Sequence, residues 1–573
     1  MKKVSVTSIQ KRMRWVLFFF LSALGALDAR LFLMTIVHHR DYVRLAVRQQ
    51  GSSGEFVSER GSIFARDKDG NKIPLALDKT FQVLVASPNG VKDPAGEAGV
   101  IADYFHLDRN DIEAKLSKKN DPHEILERKV DPQEAAGFDV SRLPGIFFED
   151  ESRRVYPNGI LASHVLGFVG VQSDVQAGRY GLERMYDTDL AGRNGSWRDV
   201  KDAGGFWVAL GRRIINPPQS GASLVLTLDY NIQRKAQELL HALREKWGAP
   251  SGAVLVLDPK SGKILADAGD PAFDPNAFSR EKDFGVFLNP TVEATYEFGS
   301  VIKPITMAAG IEEGLVTPDA TYTDTGALHY GSYTIRNFDG NAYGVQTMTQ
   351  VLEKSLNTGA VYVARLLGHD RQLAFLKKFG FGEKTGVDML GEVAGNISNL
   401  NSGRDIDFAT ASFGQGISAT PLQMARAIAA IANGGTLMRP YIVEKVIDDS
   451  GNQNVHGPQM ERTVISSSTA ETLTKMLVSA VRSGFETRAG LKGYFVAGKT
   501  GTAQIPKAGG RGYSDAVIHT FVGYAPAFHP RFLILLQLNE PRGNRFAANT
   551  LTPAFHDLAE FILNYYEVPP DEK

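Results

Sequence analysis

The stretch Tyr296-Glu297-Phe298-Gly299-Ser300-Val301-Ile302-Lys303-Pro304 decides how this chain is read. Gly299 marks a turn. Pro304 fits only where a helix has just begun, because deeper in a helix its missing N–H and its ring would break the ladder. Ser300 and Lys303 are then neighbours at i, i+3 on one helical face. A serine hydroxyl is a weak nucleophile and needs an adjacent base. A lysine supplies that base once burial and nearby cations lower its affinity for a proton. Alone the pattern is cheap: it recurs at Ser8/Lys11 and Ser279/Lys282, in a basic tail and a charged loop without the glycine turn. An ordinary helix N-cap explains a lone serine equally well.

Two more motifs follow in chain order. Ser355-Leu356-Asn357-Thr358-Gly359 starts 55 residues after Ser300, between two apolar helical stretches. A hydroxyl and an amide on one loop can relay a proton and hold a substrate amide. Ala497-Gly498-Lys499-Thr500-Gly501-Thr502 follows the β-type run Tyr494-Phe495-Val496, with Lys499 lying 144 residues beyond Ser355. A Lys/Thr strand edge beside the serine can bind a carboxylate, and Gly501 lets a substrate backbone come close. Each motif has decoys, at Ser87/Asn89, Lys384-Thr385-Gly386 and Lys260-Ser261-Gly262. Of the three Lys-Ser/Thr-Gly copies, only the one at 499 follows a strand-type run.

The flanking sequence predicts a mixed domain. Ser223–Asp229 reads as a strand leading into a helix whose apolar positions, Ile232, Ala236, Leu239, Leu240 and Leu243, follow helical spacing. Ala253–Leu257 and Ile264–Ala266 read as a hairpin. Helices are predicted over 301–314, 346–367, 421–434 and 468–482, and strands over 494–499, 518–524 and 532–538. This mixture predicts an α+β domain with an antiparallel sheet flanked by helices, over 219–568, with 569–573 as a tail. Residues 38–218 are loop-rich, with a strand-like run at Phe81–Ala86 and a charged, helix-like segment from Asp108 to Lys119. They read as an elongated, non-catalytic mixed α/β pedestal.

The N-terminus adds a membrane signal. Residues 1–14 are basic, and 15–37 are apolar apart from Asp28 and Arg30. A helix over 15–37 would run about 34 Å, enough for a single-pass anchor, with residues 1–14 cytoplasmic and the catalytic domain outside. A cleaved signal peptide is the rival reading, since Trp15–Leu27 has the length of an apolar signal core. Apolar sequence resuming at Leu31 favours the anchor. Asp28 and Arg30 either snorkel to the outer interface or face a membrane partner.

Composition excludes several classes. Of 573 residues, 63 are Lys or Arg and 64 Asp or Glu, so no basic field points to nucleic acid. The chain has no cysteine, which removes disulfides, thiol nucleophiles and iron–sulfur centres. His106, His123 and His164 are too scattered to form a metal site, and no cofactor is implied.

The motif order Ser-x-x-Lys, Ser-x-Asn, Lys-Thr-Gly closely resembles the class B penicillin-binding proteins, the D,D-transpeptidases of peptidoglycan synthesis. The resemblance spans nearly the whole chain. Arg60-Gly61-Ser62-Ile63, Arg154-Val155-Tyr156-Pro157 with His164-Val165-Leu166-Gly167, and Gly181-Leu182-Glu183 are similar to the family's pedestal motifs, with Ala65 where an Asp is usual. Gly484-Phe485-Glu486 replaces the family's Gly-Thr-Gly turn. The resemblance implies that Ser300 attacks a stem-peptide D-Ala–D-Ala carbonyl, Lys303 takes its proton, Ser355 relays a proton and Asn357 orients an amide. It further implies that Lys499, Thr500, Gly501 and Thr502 form the carboxylate-binding strand, that the N–H groups of Ser300 and Thr502 form an oxyanion hole, and that β-lactams acylate Ser300. Asn at 357 favours the septal branch, in partnership with a polytopic peptidoglycan glycosyltransferase and other division proteins. The short tails agree. An elongation-branch transpeptidase and a β-lactamase or β-lactam-sensor relative are the alternatives, although no Glu-x-x-Leu-Asn stretch is found.

Overall fold

A computed structural model describes residues 6–33, 53–56, 58–172, 175–198, 213–507 and 512–571. The described residues form two units, one within Met1–Ser58 and Gly192–Gln219, the other within Glu59–Ala191 and Ser220–Lys573.

The first unit contains the helix Val6–Phe32 and a three-stranded antiparallel sheet of Ser53–Phe56, Gly195–Arg198 and Arg213–Asn216. Along the helix Trp15, Phe18, Phe19, Phe20, Leu24 and Leu27 are exposed. Among the described residues no helix is long and apolar enough to cross a membrane. The last part of the expected span over 15–37, residues 34–37, lies outside the described residues.

In the second unit the central feature is a five-stranded antiparallel sheet. Its order is Ile264–Asp270, Ser251–Leu257, Phe532–Asn539, Tyr513–Ala525, Ala497–Pro506. Side chains alternate between its faces, as a pleated strand requires. Val254, Val256, Ile534 and Leu536 pack with Ile232, Ala236 and Leu240 of the helix Tyr230–Trp247 and with Phe555, Leu558 and Ile562 of Thr552–Tyr565. Leu255, Leu257, Leu533 and Leu535 face the opposite way, into a core shared with Ile305, Met424, Ile428, Leu473 and Leu477. Both faces are covered, which is why these strands read as continuous apolar runs. Each such side chain contributes about 1.5–3 kcal/mol by leaving water.

The caps were written in the sequence. Asp229 accepts from the N–H groups of Asn231 and Ile232 and starts the helix Tyr230–Trp247. Thr420 and Gln423 form a reciprocal capping box on Pro421–Ala432. Gln233 exchanges hydrogen bonds with the backbone of Asp267, tying that helix to the sheet.

A seven-stranded sheet joins early and late sequence. Ser223–Asp229 runs parallel to Ile63–Arg66 on one side and antiparallel to Val443–Ile447 on the other. The three pedestal motifs converge on one carboxylate. Glu183 is fully buried and accepts from Arg60 Nε at 2.7 Å, Arg154 Nε at 2.7 Å and Tyr156 OH at 3.3 Å. Arg60 also pairs with Asp187 at 2.8 Å and Arg154 with Asp78 at 3.2 Å. Gly61 is required by close approach: a Cβ there would lie 1.9 Å from the carbonyl oxygen of Ala222.

Two predicted elements differ. The helix predicted over 346–367 is a strand Gly344–Thr347, a short helix Met348–Glu353 and a longer one from Asn357. The break lies at Ser355, whose φ of 53° is left-handed. The strand predicted over 494–499 runs Ala497–Pro506, because pairing with Tyr513–Ala525 begins at Ala497 and the earlier aromatic run folds into a turn bridged between Leu491 and Tyr494.

Candidate active site

Ser300 lies on a single 3-10 turn, Gly299–Ile302, that runs directly into the helix Lys303–Glu312. Gly299 has φ 55°, a conformation nearly free only to glycine, and it lets the chain turn sharply into the serine. Pro304 occupies the first turn of the helix, as expected. Ser300 is half-buried, whereas Lys303 is 1% exposed.

The Lys303 ammonium donates to the backbone oxygen of Ser355 and, at 3.2 Å, to Ser355 Oγ. Burial, then the charge of Lys499, hold Lys303 well below the ordinary lysine range, while Glu486 opposes them. That direction makes Lys303 shed its proton more readily than an ordinary lysine, as a base for Ser300 must. The left-handed backbone of Ser355 costs on the order of 1–3 kcal/mol. Its effect is to present carbonyl and hydroxyl together to Lys303. Asn357 opens the following helix, and its Nδ2 donates to Arg336 O at 2.8 Å, leaving its side-chain oxygen to accept an amide N–H.

Lys499 lies inside the strand Ala497–Pro506, at the edge of the five-stranded sheet, where backbone groups remain for an extended ligand. It is 1% exposed and ion-paired with Glu486. Gly501 receives a different reading from the one its sequence suggested. A Cβ there would lie 2.3 Å from Phe298 O and 2.7 Å from Val301 Cγ2, so its bareness lets the strand pack against the serine turn. Thr502 Oγ1 accepts from Ala547 N at 3.2 Å, which leaves its own proton to donate.

Ser300, Ser355, Asn357, Thr500 and Thr502 all line one cleft of about 1470 Å³, with Lys303 and Lys499 buried beside it. The decoys lie elsewhere: Lys384 and Lys260 are exposed, and Thr385 is spent on Glu392.

Three features escaped the sequence reading. Phe338 meets Phe485 and Phe546 edge-on, with centroids at 5.3 and 5.5 Å, and all three line the cleft. Asp324 is 2% exposed and accepts from Thr358 Oγ1 at 2.6 Å, Asn337 Nδ2 at 2.9 Å and the N–H groups of Gly326 and Tyr343. Burial pushes its carboxyl up, but these hydrogen bonds, led by Thr358, outweigh it and hold it below its usual range. Asn337 Oδ1 in turn accepts the N–H of Asn357 at 3.0 Å, so this hub seats the Asn357 end of its helix. The third is Glu486. Its only signal was a carboxylate in a turn 13 residues before Lys499, with no partner legible nearby.

A serine turn on a sheet edge, backed by two buried lysines, is the arrangement of an active-site-serine acyltransferase. Comparison with known proteins narrows this. The model for the penicillin binding protein transpeptidase domain matches residues 252–560, and that for the penicillin-binding protein dimerisation domain matches 56–226. Stage V sporulation protein D of Bacillus subtilis is 32% identical over 575 residues, 99% of this chain and 88% of that protein. Peptidoglycan D,D-transpeptidase FtsI of Escherichia coli is 29% identical over 548 residues, 94% of this chain and 87% of that protein. The crystal structure of penicillin binding protein 3 from Mycobacterium tuberculosis, complexed with aztreonam, is similar with a TM-score of 0.70 and 29% identity, over 90% of this chain and 98% of that one. The chain therefore belongs to the class B penicillin-binding proteins, in the septal, division-type branch.

Proposed function

We propose that this peptidoglycan D,D-transpeptidase cross-links stem peptides through an acyl-enzyme on Ser300. Ser300 Oγ attacks the carbonyl carbon between the two terminal D-alanines, and Lys303 takes the hydroxyl proton. Ser355 passes a proton to the departing D-alanine nitrogen as the C–N bond breaks. Asn357 orients the donor amide through its side-chain oxygen. Lys499 and Thr500 or Thr502 receive the terminal carboxylate, and Gly501 keeps their strand against the serine turn. The N–H groups of Ser300 and Thr502 hold the oxyanion, each worth on the order of 10²–10³ in rate. An amine of a neighbouring stem peptide then attacks the ester, forms the cross-link and releases Ser300. β-Lactams acylate the same serine. The observation that carries this reading is the meeting of three motifs, far apart in sequence, around one cleft, with Lys303 buried against Ser355.

We further propose residues 38–218 as the pedestal and 219–568 as the transpeptidase domain. Residues 15–37 are proposed as a single-pass anchor in the cytoplasmic membrane, with 1–14 inside and the catalytic domain outside. The exposed apolar side chains along Val6–Phe32 support the anchor, and a polytopic glycosyltransferase beside it would compensate Asp28 or Arg30. The test is fluorescent-penicillin labelling of wild type against Ser300→Ala, with the tagged protein localised in dividing cells. Loss of labelling in a folded variant, and a band at mid-cell, are expected. Equal labelling would move the nucleophile elsewhere.

A further inference from the structure

Glu486 stands in the turn that follows the helix Ser467–Ser483, and its side chain is fully buried. One of its oxygens, Oε1, accepts three hydrogen bonds: from Lys499 Nζ, from Thr500 N at 3.1 Å and from Thr500 Oγ1 at 2.7 Å. The other, Oε2, is buried and has no hydrogen-bond partner among the described residues. A buried carboxylate so committed to the strand that carries the proposed carboxylate-binding groups has consequences on both sides of it. Toward the cleft, the single hydroxyl proton of Thr500 is already given to Glu486, so a substrate carboxylate finds its free hydroxyl proton on Thr502. Toward the serine, Glu486 sets a negative charge against Lys499, the cation whose charge acts on Lys303.

We propose that Glu486 is a positioning residue for acylation: it holds Lys499 and Thr500 in place and offsets the Lys499 charge felt at Lys303, and so sets the pH range over which Ser300 is acylated. This rests on the assignment of Ser300 and Lys303 above.

The charged groups acting on Lys303 are Lys499 from the edge strand and Glu486 from the turn. From the loop between the two helices, Ser355 contributes only neutral oxygens. Lys303 must be neutral to take the Ser300 proton, so the acylation rate rises as pH passes through its titration. Removing the Glu486 charge leaves Lys303 facing an uncompensated cation, and Lys303 then gives up its proton at lower pH. The acid limb of the profile moves to lower pH. At the same time Lys499 and Thr500 lose their acceptor, and the rate on the plateau falls. The two effects produce a crossing of the profiles.

The experiment is the second-order rate of acylation by a fluorescent penicillin, measured on the full chain in detergent from mildly acidic to mildly alkaline pH. Glu486→Gln keeps the shape and removes the charge, and Glu486→Asp keeps the charge. Expected for Glu486→Gln is acylation faster than wild type at the acid end and slower on the plateau. Glu486→Asp should keep the wild-type limb even if its maximum is lower. A loss by the same factor at every pH, or an unchanged profile for Glu486→Gln, overturns the proposal. Should Glu486→Gln not fold, Glu486→Gly carries the same test, since the backbone there (φ −90°, ψ 9°) suits any residue. Ser300→Ala is the parallel control. Its continued labelling overturns the site assignment together with this inference, whereas its silence with uncrossed profiles overturns this inference alone.

Discussion

Replacing Glu183 with alanine should destabilise the second unit by about 3–5 kcal/mol, the usual cost of stranding buried charge by removing one partner. The side chains of Arg60 and Arg154 are only 9% and 4% exposed, so water cannot replace the lost carboxylate. Arg60 would keep Asp187 at 2.8 Å and Arg154 would keep Asp78 at 3.2 Å, which places the expected loss inside that range rather than above it. Tyr156 OH would lose an acceptor as well. Against a typical domain stability of about 5–15 kcal/mol, roughly a fifth of the total or more is at stake. Arg60→Ala should cost less, since Glu183 keeps Arg154. The two single changes should couple by about 1.5–3 kcal/mol, the value of a hydrogen bond to a charged group. The assay is urea unfolding of wild type, both single variants and the double variant, read by circular dichroism and by the fraction still labelled with penicillin. A Glu183→Ala midpoint within about 0.5 kcal/mol of wild type, the range of ordinary surface changes, would refute the reasoning. It would show that the three pedestal motifs do not depend on this carboxylate.

Lys499→Ala should slow penicillin acylation far more than Lys384→Ala, measured as rate constants on the purified variants, because Lys499 is buried beside the cleft and Lys384 is exposed. Gly501→Ala should reduce acylation and lower the melting temperature together, as a Cβ would meet backbone at 2.3 Å; a melting curve like that of wild type would contradict this. Burial pushes the Asp267 carboxyl up to about 6, against hydrogen bonds from Asn289 and Thr291 that lower it. The folded state then binds a proton that the unfolded state has released, so this group's contribution to stability falls as pH rises from about 4 to 6. Asp267→Asn should flatten that part of the stability profile in denaturant titrations, and an unchanged slope would exclude Asp267 as its source.

Much of this molecule is decided by local chemistry. Gly299 and Pro304 define where the serine turn ends and its helix begins, Thr420 and Gln423 cap their helix, and the apolar runs at 518–524 and 532–538 are strands of the buried sheet. The order of the three motifs was enough to identify the family. These signals are legible because turns, caps and periodicity act over a few residues, where sequence neighbours are also spatial neighbours. The rest depends on contacts between distant segments. Ser355 is left-handed because it joins two helices that must pack separately, one of them seated by Asp324 and Asn337. Gly501 is bare because the serine turn, 201 residues earlier, fills the space a side chain would take. Glu183 and Glu486 are charges that sequence alone would place in water. Folding buries each among cations and hydroxyls contributed by other segments, and only that burial turns one into the joint of the pedestal motifs and the other into the partner of Lys499.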